Sequence, residues 1–462
     1  MSAISLSSQN RFVKKRTPHD FTFIHQTVMT NQDLLQNFIM PRIEAVIDES
    51  EKFIDDRHMT HFFDAKIIQS KQEIETEVFS GNLILLYHNT NKLYSLPIAK
   101  PPSRSVEESN MEVSIRGPRD GFIEDVDVNV SLIRRRLKTS DLKVKSYTIG
   151  RRSQTKVNLL YMNSILSPPL LKEIDQRLQA IDIAVASSTY KIEEHLFDQT
   201  FSLVPLVEYS GRPDFVADVI NEGRFAIVID GSPSVIVAPT SIDLIFRSAE
   251  DSQISFFYTN IERLIRILSL ITSILLPGFW LALTSYQIEQ IPFPLVATIA
   301  ESRLGLPLSS PMEVFLMLIL FELFKEAGTR LPSAIGQTVA VIGGLIIGDA
   351  AIRAGLTSPA TLVIGAVTTI CSYTLTDQSL AGNILIIRFF IAVLAAVLGL
   401  YGFFIGLFLT LIYVISLTSF GHPVVSPFNK LNIKLFLSDL FIFPYTLGHS
   451  RKKEYRPQDP KE

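Results

Sequence analysis

Cysteine is nearly missing from this sequence. Cys371 is the only one in 462 residues, so no disulfide forms within the chain and no thiolate cluster can hold a metal. It lies in an apolar run and reads as a packing residue. The eight histidines are scattered, without metal-ligand spacing. Charge is also scarce: 19% of residues are charged, where an ordinary soluble domain has about 25%. The net charge of -3 gives no reason to expect nucleic acid. Catalytic signatures are missing as well. RGPRDG (116–121) has glycines but neither a phosphate-loop Lys-Ser/Thr nor GxGxxG spacing, and no GxSxG or HExxH occurs. The chain therefore reads as a non-enzyme with no cofactor and no metal. Its opening residues are basic but have no apolar core behind them. They do not read as a secretory signal, and the first half is expected to stay on the cytoplasmic side.

What is present is apolar and unevenly placed. Before about residue 260 the chain is charge-rich; from Leu264 to about Phe420 it is apolar and Gly-rich. The expected division is a disordered segment (1–19), two cytoplasmic α/β subdomains (20–165 and 166–258), a membrane domain of four to six helices (259–428) and a cytoplasmic C-terminal segment (429–462). A spanning helix needs roughly 20 apolar residues, and Leu264–Tyr286 has that length. Arg263 and Arg266 at its start place the preceding domain in the cytoplasm. Pro277 and Gly278 fall mid-span, where they are expected to kink or break the helix as a hinge. Met312–Phe324 is short for a span. Ala334–Ala351 and Pro359–Leu375 read as a hairpin turning at RAGLTSP, and Ile384–Leu400 with Gly402–Phe420 as another. Gly344 with Gly348, and Gly402 with Gly406, have the small-xxx-small spacing that lets helices approach closely, within one chain or between copies. The tail carries Arg451, Lys452, Lys453 and Arg456 and is expected in the cytoplasm, which makes the number of spans even.

Ionised groups stand inside this apolar half. Glu322 and Glu326 share a helical face, with Lys325 and Arg330 following. Asp349 lies deep in an apolar run, with Arg353 four residues on. An acid at membrane depth costs several kcal/mol unless paired or wetted, so an ion-path role and a local structural pair are both open. Arg388 reads as snorkelling toward an interface.

In the first half, alternating helices and strands imply α/β architecture. FAIVIDGSPSVIVAP (225–239) reads as a hairpin, because Asp-Gly between apolar runs favours a tight turn. Arg134, Arg135 and Arg136, with Arg151 and Arg152, form basic clusters that are either a solvated face or a contact for a partner or an anion. Taken alone, these residues leave a secondary transporter or a membrane-anchored signalling component open.

Several stretches, in order, resemble the A subunits of spore germinant receptors, the GerA family. They are RGPRDGF (116–122), LIRRRLK (132–138), IGRRSQTKV (149–157), GRPDFVADVINEGRFAIVIDGSP (211–233), LLPGFWLALTSY (275–286), FELFKEAGTRLP (321–332), GQTVAVIGGLIIGDAAIRAGLTSP (336–359) and SFGHPVVSPF (419–428). One departure is YQIEQIP, where Tyr286 stands in place of the family's usual histidine. The resemblance implies two α/β cytoplasmic subdomains before an all-α membrane domain, in the inner spore membrane with both termini on the core side. It also implies a transporter-like B subunit, a lipoprotein C subunit and homo-oligomers around a conducting path. On it rest the expected roles of Asp349, Glu322, Glu326, Arg330 and Arg353 in ion passage or gating, coupled to sensing of a small nutrient.

Overall fold

In the computed structural model, residues 12–16, 21–26, 30–43, most of 65–98, 108, 109, 112 and 114–425 apart from 187, 200, 330–347, 376 and 377 are described. Arg330, Gly344 and the basic tail lie outside the described residues. The first sheet has the order β1-β2-β4-β5-β3, from Phe12–Arg16 (β1), Phe21–Gln26 (β2), Lys66–Ile68 (β3), Leu83–Tyr87 (β4) and Lys92–Leu96 (β5). β4 is central because both of its faces are apolar. Leu83, Leu85 and Tyr87 join Phe23, Leu35 and Tyr94 on one side, and Ile84 joins Ile24, Ile68 and Val78 on the other. β1 belongs to the segment expected to be disordered; instead it pairs with β2 along its full length.

The second sheet has the order β6-β7-β9-β10-β8, from Leu142–Ile149 (β6), Thr155–Met162 (β7), Glu208–Ser210 (β8), Phe225–Ile229 (β9) and Val235–Ala238 (β10). The expected boundary at residue 165 cuts through this sheet, since β7 pairs with β9. Among the described residues the two sheets divide between Ile98 and Leu142. Every ladder in them is antiparallel, so the alternation of helices and strands does not produce parallel βαβ units.

Helices cover both faces of the second sheet. Val126–Arg136 (α1) and Pro213–Asn221 (α4) pack on Ala226, Val228, Val235 and Val237. Pro168–Ala180 (α2) and Thr189–Glu194 (α3) pack on Phe225, Ile227, Ile229 and Ile236. This double cover explains the unbroken apolar runs FAIVI and VIVA, which would alternate if one face met water. The expected β9–β10 hairpin is present, with Val235 opposite Val228 and Gly231 at φ 82° in the turn.

The apolar half is helical: Phe256–Ser285 (α5), Phe293–Ser302 (α6), Ser310–Thr329 (α7), Pro359–Tyr373 (α8) and Gln378–Ser416 (α9). α7 runs well beyond the short apolar run read at Met312–Phe324. Among the described residues, α5 and α9 are long and apolar enough to cross a membrane by length and composition. α9 is not one rod. Gly399, at φ 64° and ψ -143°, reverses the chain, and Gly402 and Gly406 lie directly against Leu394 and Ile391 of the preceding arm. That hairpin matches the pair expected over 384–420, and its small residues serve contact within the chain.

Among the contacts that join the second sheet's domain to the helices, two involve buried charge or a buried ring. At the start of α5, buried Asp251 pairs with Arg263 at 2.8 Å and Arg266 at 2.5 Å. The two arginines flanking the first apolar helix therefore bind this domain. After α9, Thr418–Ser419 (β11) and His422–Pro423 (β12) form a minimal hairpin. At its tip Phe420 adopts φ 49° and is 3% exposed. Its ring meets Phe225 edge-on at 5.0 Å, with the Arg177 guanidinium 4.8 Å above it. Asp198 accepts from the Gly421 N–H at 2.8 Å and pairs with Arg177 at 2.6 Å. The SFGHP motif is thus a plug in the second sheet's core. Phe420→Ala is expected to destabilise the purified chain by roughly 3–5 kcal/mol, the usual cost of emptying a buried aromatic site, and Phe420→Leu by clearly less; denaturant titration checks both.

Candidate functional site

The basic clusters do not form one patch. Arg134 is buried, and burial pushes its guanidinium down to about 10. Arg136 pairs with Asp120 at 2.6 Å, and Arg151 with Asp182 at 3.0 Å. Arg135 and Arg152 are exposed. The RGPRDG loop instead lies over a different arginine. Arg212 is buried between Asp214, at 2.7 Å, and Glu250. Glu250 also accepts from the Arg116 N–H and the Ser114 hydroxyl, both at 3.1 Å. Burial pushes the Glu250 carboxyl up, but the Arg212 bond and these donors outweigh it and hold the group below its ordinary range. Gly117 packs against the Arg212 guanidinium, where a side chain would collide. The motif's glycine and charges thus serve a buried ion network, next in sequence to the Asp251 junction.

The ionised groups of the helical half occupy three places. Thr284, near the end of α5, meets Ser310 at the start of α7 at 3.0 Å. These two helix ends therefore share a level, far along α5 from Asp251. Near that level the turn at 354–358 leads into α8, with Gly355 at φ 66°. The helical residues 348–353 precede it, and Gly348 packs on Leu362 of α8. Asp349 and Arg353 pair at 2.9 Å, with side chains 58% and 79% exposed. The pair thus forms locally and points away from the packed helices.

Deeper, Ser273 precedes Thr284 by 11 residues, about 16 Å of helix. Pro277 does not break α5, which continues to Ser285. A proline lacks the N–H that would bond the carbonyl four residues back. That carbonyl belongs to Ser273, and Arg388 of α9 donates Nε to it at 2.7 Å. Arg388 is 2% exposed; it does not snorkel but fills the gap the proline leaves. Glu322 of α7 is close enough to act on its charge, and pairs with Lys325 at 3.3 Å. Glu326 is exposed. Gly278 lies against Ile391 and Phe403, so α5 packs closely on both arms of α9 at this point.

Reading along the sequence missed two sets of residues. Glu313, in the first turn of α7, is fully buried and receives the start of α8. Tyr286 donates its hydroxyl to the Ala396 carbonyl at 2.7 Å, and Gln287 accepts from the Leu400 N–H at 3.2 Å. These side chains satisfy backbone groups bared by the reversal at Gly399. The sequence signal was the departure itself, a tyrosine with a reaching hydroxyl before a glutamine. Among the described residues no group of three or more His, Cys, Asp or Glu could hold a metal.

An antiparallel two-sheet region bolted by buried ion pairs to an apolar helical bundle defines a multi-part protein with charges enclosed among apolar helices. A profile of the family described as Bacillus/Clostridium GerA spore germination protein matches residues 5–454. Spore germination protein XA of Bacillus anthracis is 40% identical over 390 residues, covering 84% of this chain and 79% of that protein. Spore germination protein KA of Bacillus subtilis (strain 168) is 34% identical, covering 85% and 72%. Spore germination protein GerLA of Bacillus cereus is 32% identical, covering 94% and 90%. A crystal structure of the N-terminal domain of the A subunit of the Bacillus megaterium spore germinant receptor GerK3 aligns with TM-score 0.36 and 24% identity, over 50% of this chain and 86% of that one. The chain belongs to the GerA family of spore germination proteins.

The Arg388–Ser273 contact predicts a dependence on Pro277. Arg388→Ala should destabilise the chain by about 1.5–3 kcal/mol, the range for a hydrogen bond from a charged donor. In a Pro277→Ala background the restored N–H takes over the carbonyl, and the cost of Arg388→Ala should fall. A double-mutant cycle by thermal unfolding measures the coupling.

Proposed function

We propose that this chain is the A subunit of a nutrient receptor in the inner spore membrane, coupling recognition of a small nutrient to ion release and the start of germination. Membership of the GerA family supports the receptor role, and the outward faces of the apolar helices support the membrane. Leu264, Leu268 and Ile271 on α5, and Val393, Phe404 and Phe408 on α9, are all exposed. Unpartnered apolar surface of this extent suits lipid or another membrane subunit. In this reading both termini lie on the core side, and the subunit works with a transporter-like B subunit and a lipoprotein C subunit. Copies of the chain assemble around the ion route, and the chain has no enzymatic step.

The observation that carries the ion route is the outward-facing Asp349–Arg353 pair on the helical half of the chain. Charges exposed at a helical bundle cost several kcal/mol against hydrocarbon, so water or a neighbouring copy faces them. The Glu322, Lys325 and Arg388 group then lies deeper along the same bundle. A signal also needs two states with different affinity for ligand or partner. The junctions at Asp251 and Phe420 give sheet and helix motions a common route.

Asp349→Asn, in spores carrying the partner subunits, is expected to slow nutrient-triggered ion release while the protein accumulates normally. Wild-type release kinetics at wild-type protein levels would refute the role. Ion efflux with parallel immunoblots measures both.

A further inference from the structure

Glu313 is the one acid of α7 that the helical half encloses completely, at 0% exposure. One carboxylate oxygen, Oε1, takes three donors from the start of α8: the Ser358 N–H and hydroxyl, each at 2.6 Å, and the Thr357 hydroxyl at 3.1 Å. The other, Oε2, accepts no hydrogen bond among the described residues and faces the Arg303 guanidinium at 3.8 Å. A bound metal ion does not fit this set. The hydroxyls point their protons at the carboxylate, a guanidinium faces it, and the helix N-terminus beyond Ser358 is itself positive.

The bonds are instead those of an anchor. Within the turn, the Leu356 N–H reaches the Ala351 carbonyl at 2.9 Å and the Gly355 N–H reaches Ile352 at 3.0 Å. Those bonds fix the turn to residues 348–353, which carry Asp349, but not to α7. α7 and α8 also touch at Gly365, which lies against Phe321 and Met317. That contact holds the middle of α8, whereas Glu313 holds its beginning. We propose that Glu313 is a positioning residue, a latch that sets where the Asp349 segment stands relative to α7 and passes displacements of α7 to it. The proposal rests on the reading of Asp349 as part of the ion route.

The test separates the latch from that reading. Cysteines replacing Leu323 and Leu356, both exposed, carry nitroxide labels in a Cys371→Ala background of the full chain in lipid nanodiscs. The wild-type distance distribution should be narrow. Glu313→Ala should broaden or shift it, because the buried carboxylate is lost and its three donors are left without it while the Gly365 contact persists. Glu313→Gln should stay near wild type, since its amide oxygen still accepts from Ser358. In spores with partner subunits, Glu313→Ala should slow ion release by about tenfold, the scale of one lost buried anchor, and Glu313→Gln by less. An unchanged distribution in Glu313→Ala overturns the latch whatever the spores do. A broadened distribution with normal release from both Glu313→Ala and Asp349→Asn spores upholds the latch and sinks the ion route.

Discussion

Asp251 holds two arginines of the first apolar helix, and the rest of the arrangement depends on that contact. One buried carboxylate shared between Arg263 and Arg266 fixes the direction in which α5 leaves the sheet domain. Removing one partner from such a group costs far more than the group contributes when intact, because a charge is then left buried and unpaired. The neighbouring Glu250, held by Arg212 and by the loop at 114–117, extends the constraint to the second sheet. The chain then returns through Phe420, whose ring occupies that sheet's other face. The helical segment is therefore gripped where it begins and where it ends in the sequence by one domain.

Within the bundle, backbone irregularities are matched by side chains from elsewhere in the chain. Pro277 frees the Ser273 carbonyl and Arg388 takes it. Gly399 turns the chain and bares groups that Tyr286 and Gln287 satisfy. Ser358 begins α8 and Glu313 receives it. In apolar surroundings an unsatisfied peptide group costs several kcal/mol, so irregular backbone survives only where such partners exist. These contacts tie α5 to α9 and α7 to α8. They are specific enough to break one at a time.

Several elements were legible along the chain because their causes are local. The FAIVIDGSPSVIVAP hairpin follows from an Asp-Gly turn between apolar runs, and α8 begins at the Ser-Pro that stops the preceding turn. The reversal between 384–400 and 402–420 was marked by small residues, and Gly402 and Gly406 do line it. The Asp349–Arg353 pair is also local, a contact four residues apart. The basic run at 134–136 misled, because its spacing does not tell which of the three points inward. Glu313 carries no local mark of its role, and Arg388 read as snorkelling toward an interface.

The sequence by itself determined which segments are apolar, where turns interrupt them and to which family the chain belongs, since these depend on composition and short-range order. Only the tertiary structure decided that β7 joins β9 across the expected boundary, that Phe420 plugs a distant sheet, and which buried charge meets which backbone group. Those outcomes join residues tens to hundreds of positions apart. Their energies come from desolvation and hydrogen-bond geometry, which exist only once the helices and sheets have packed.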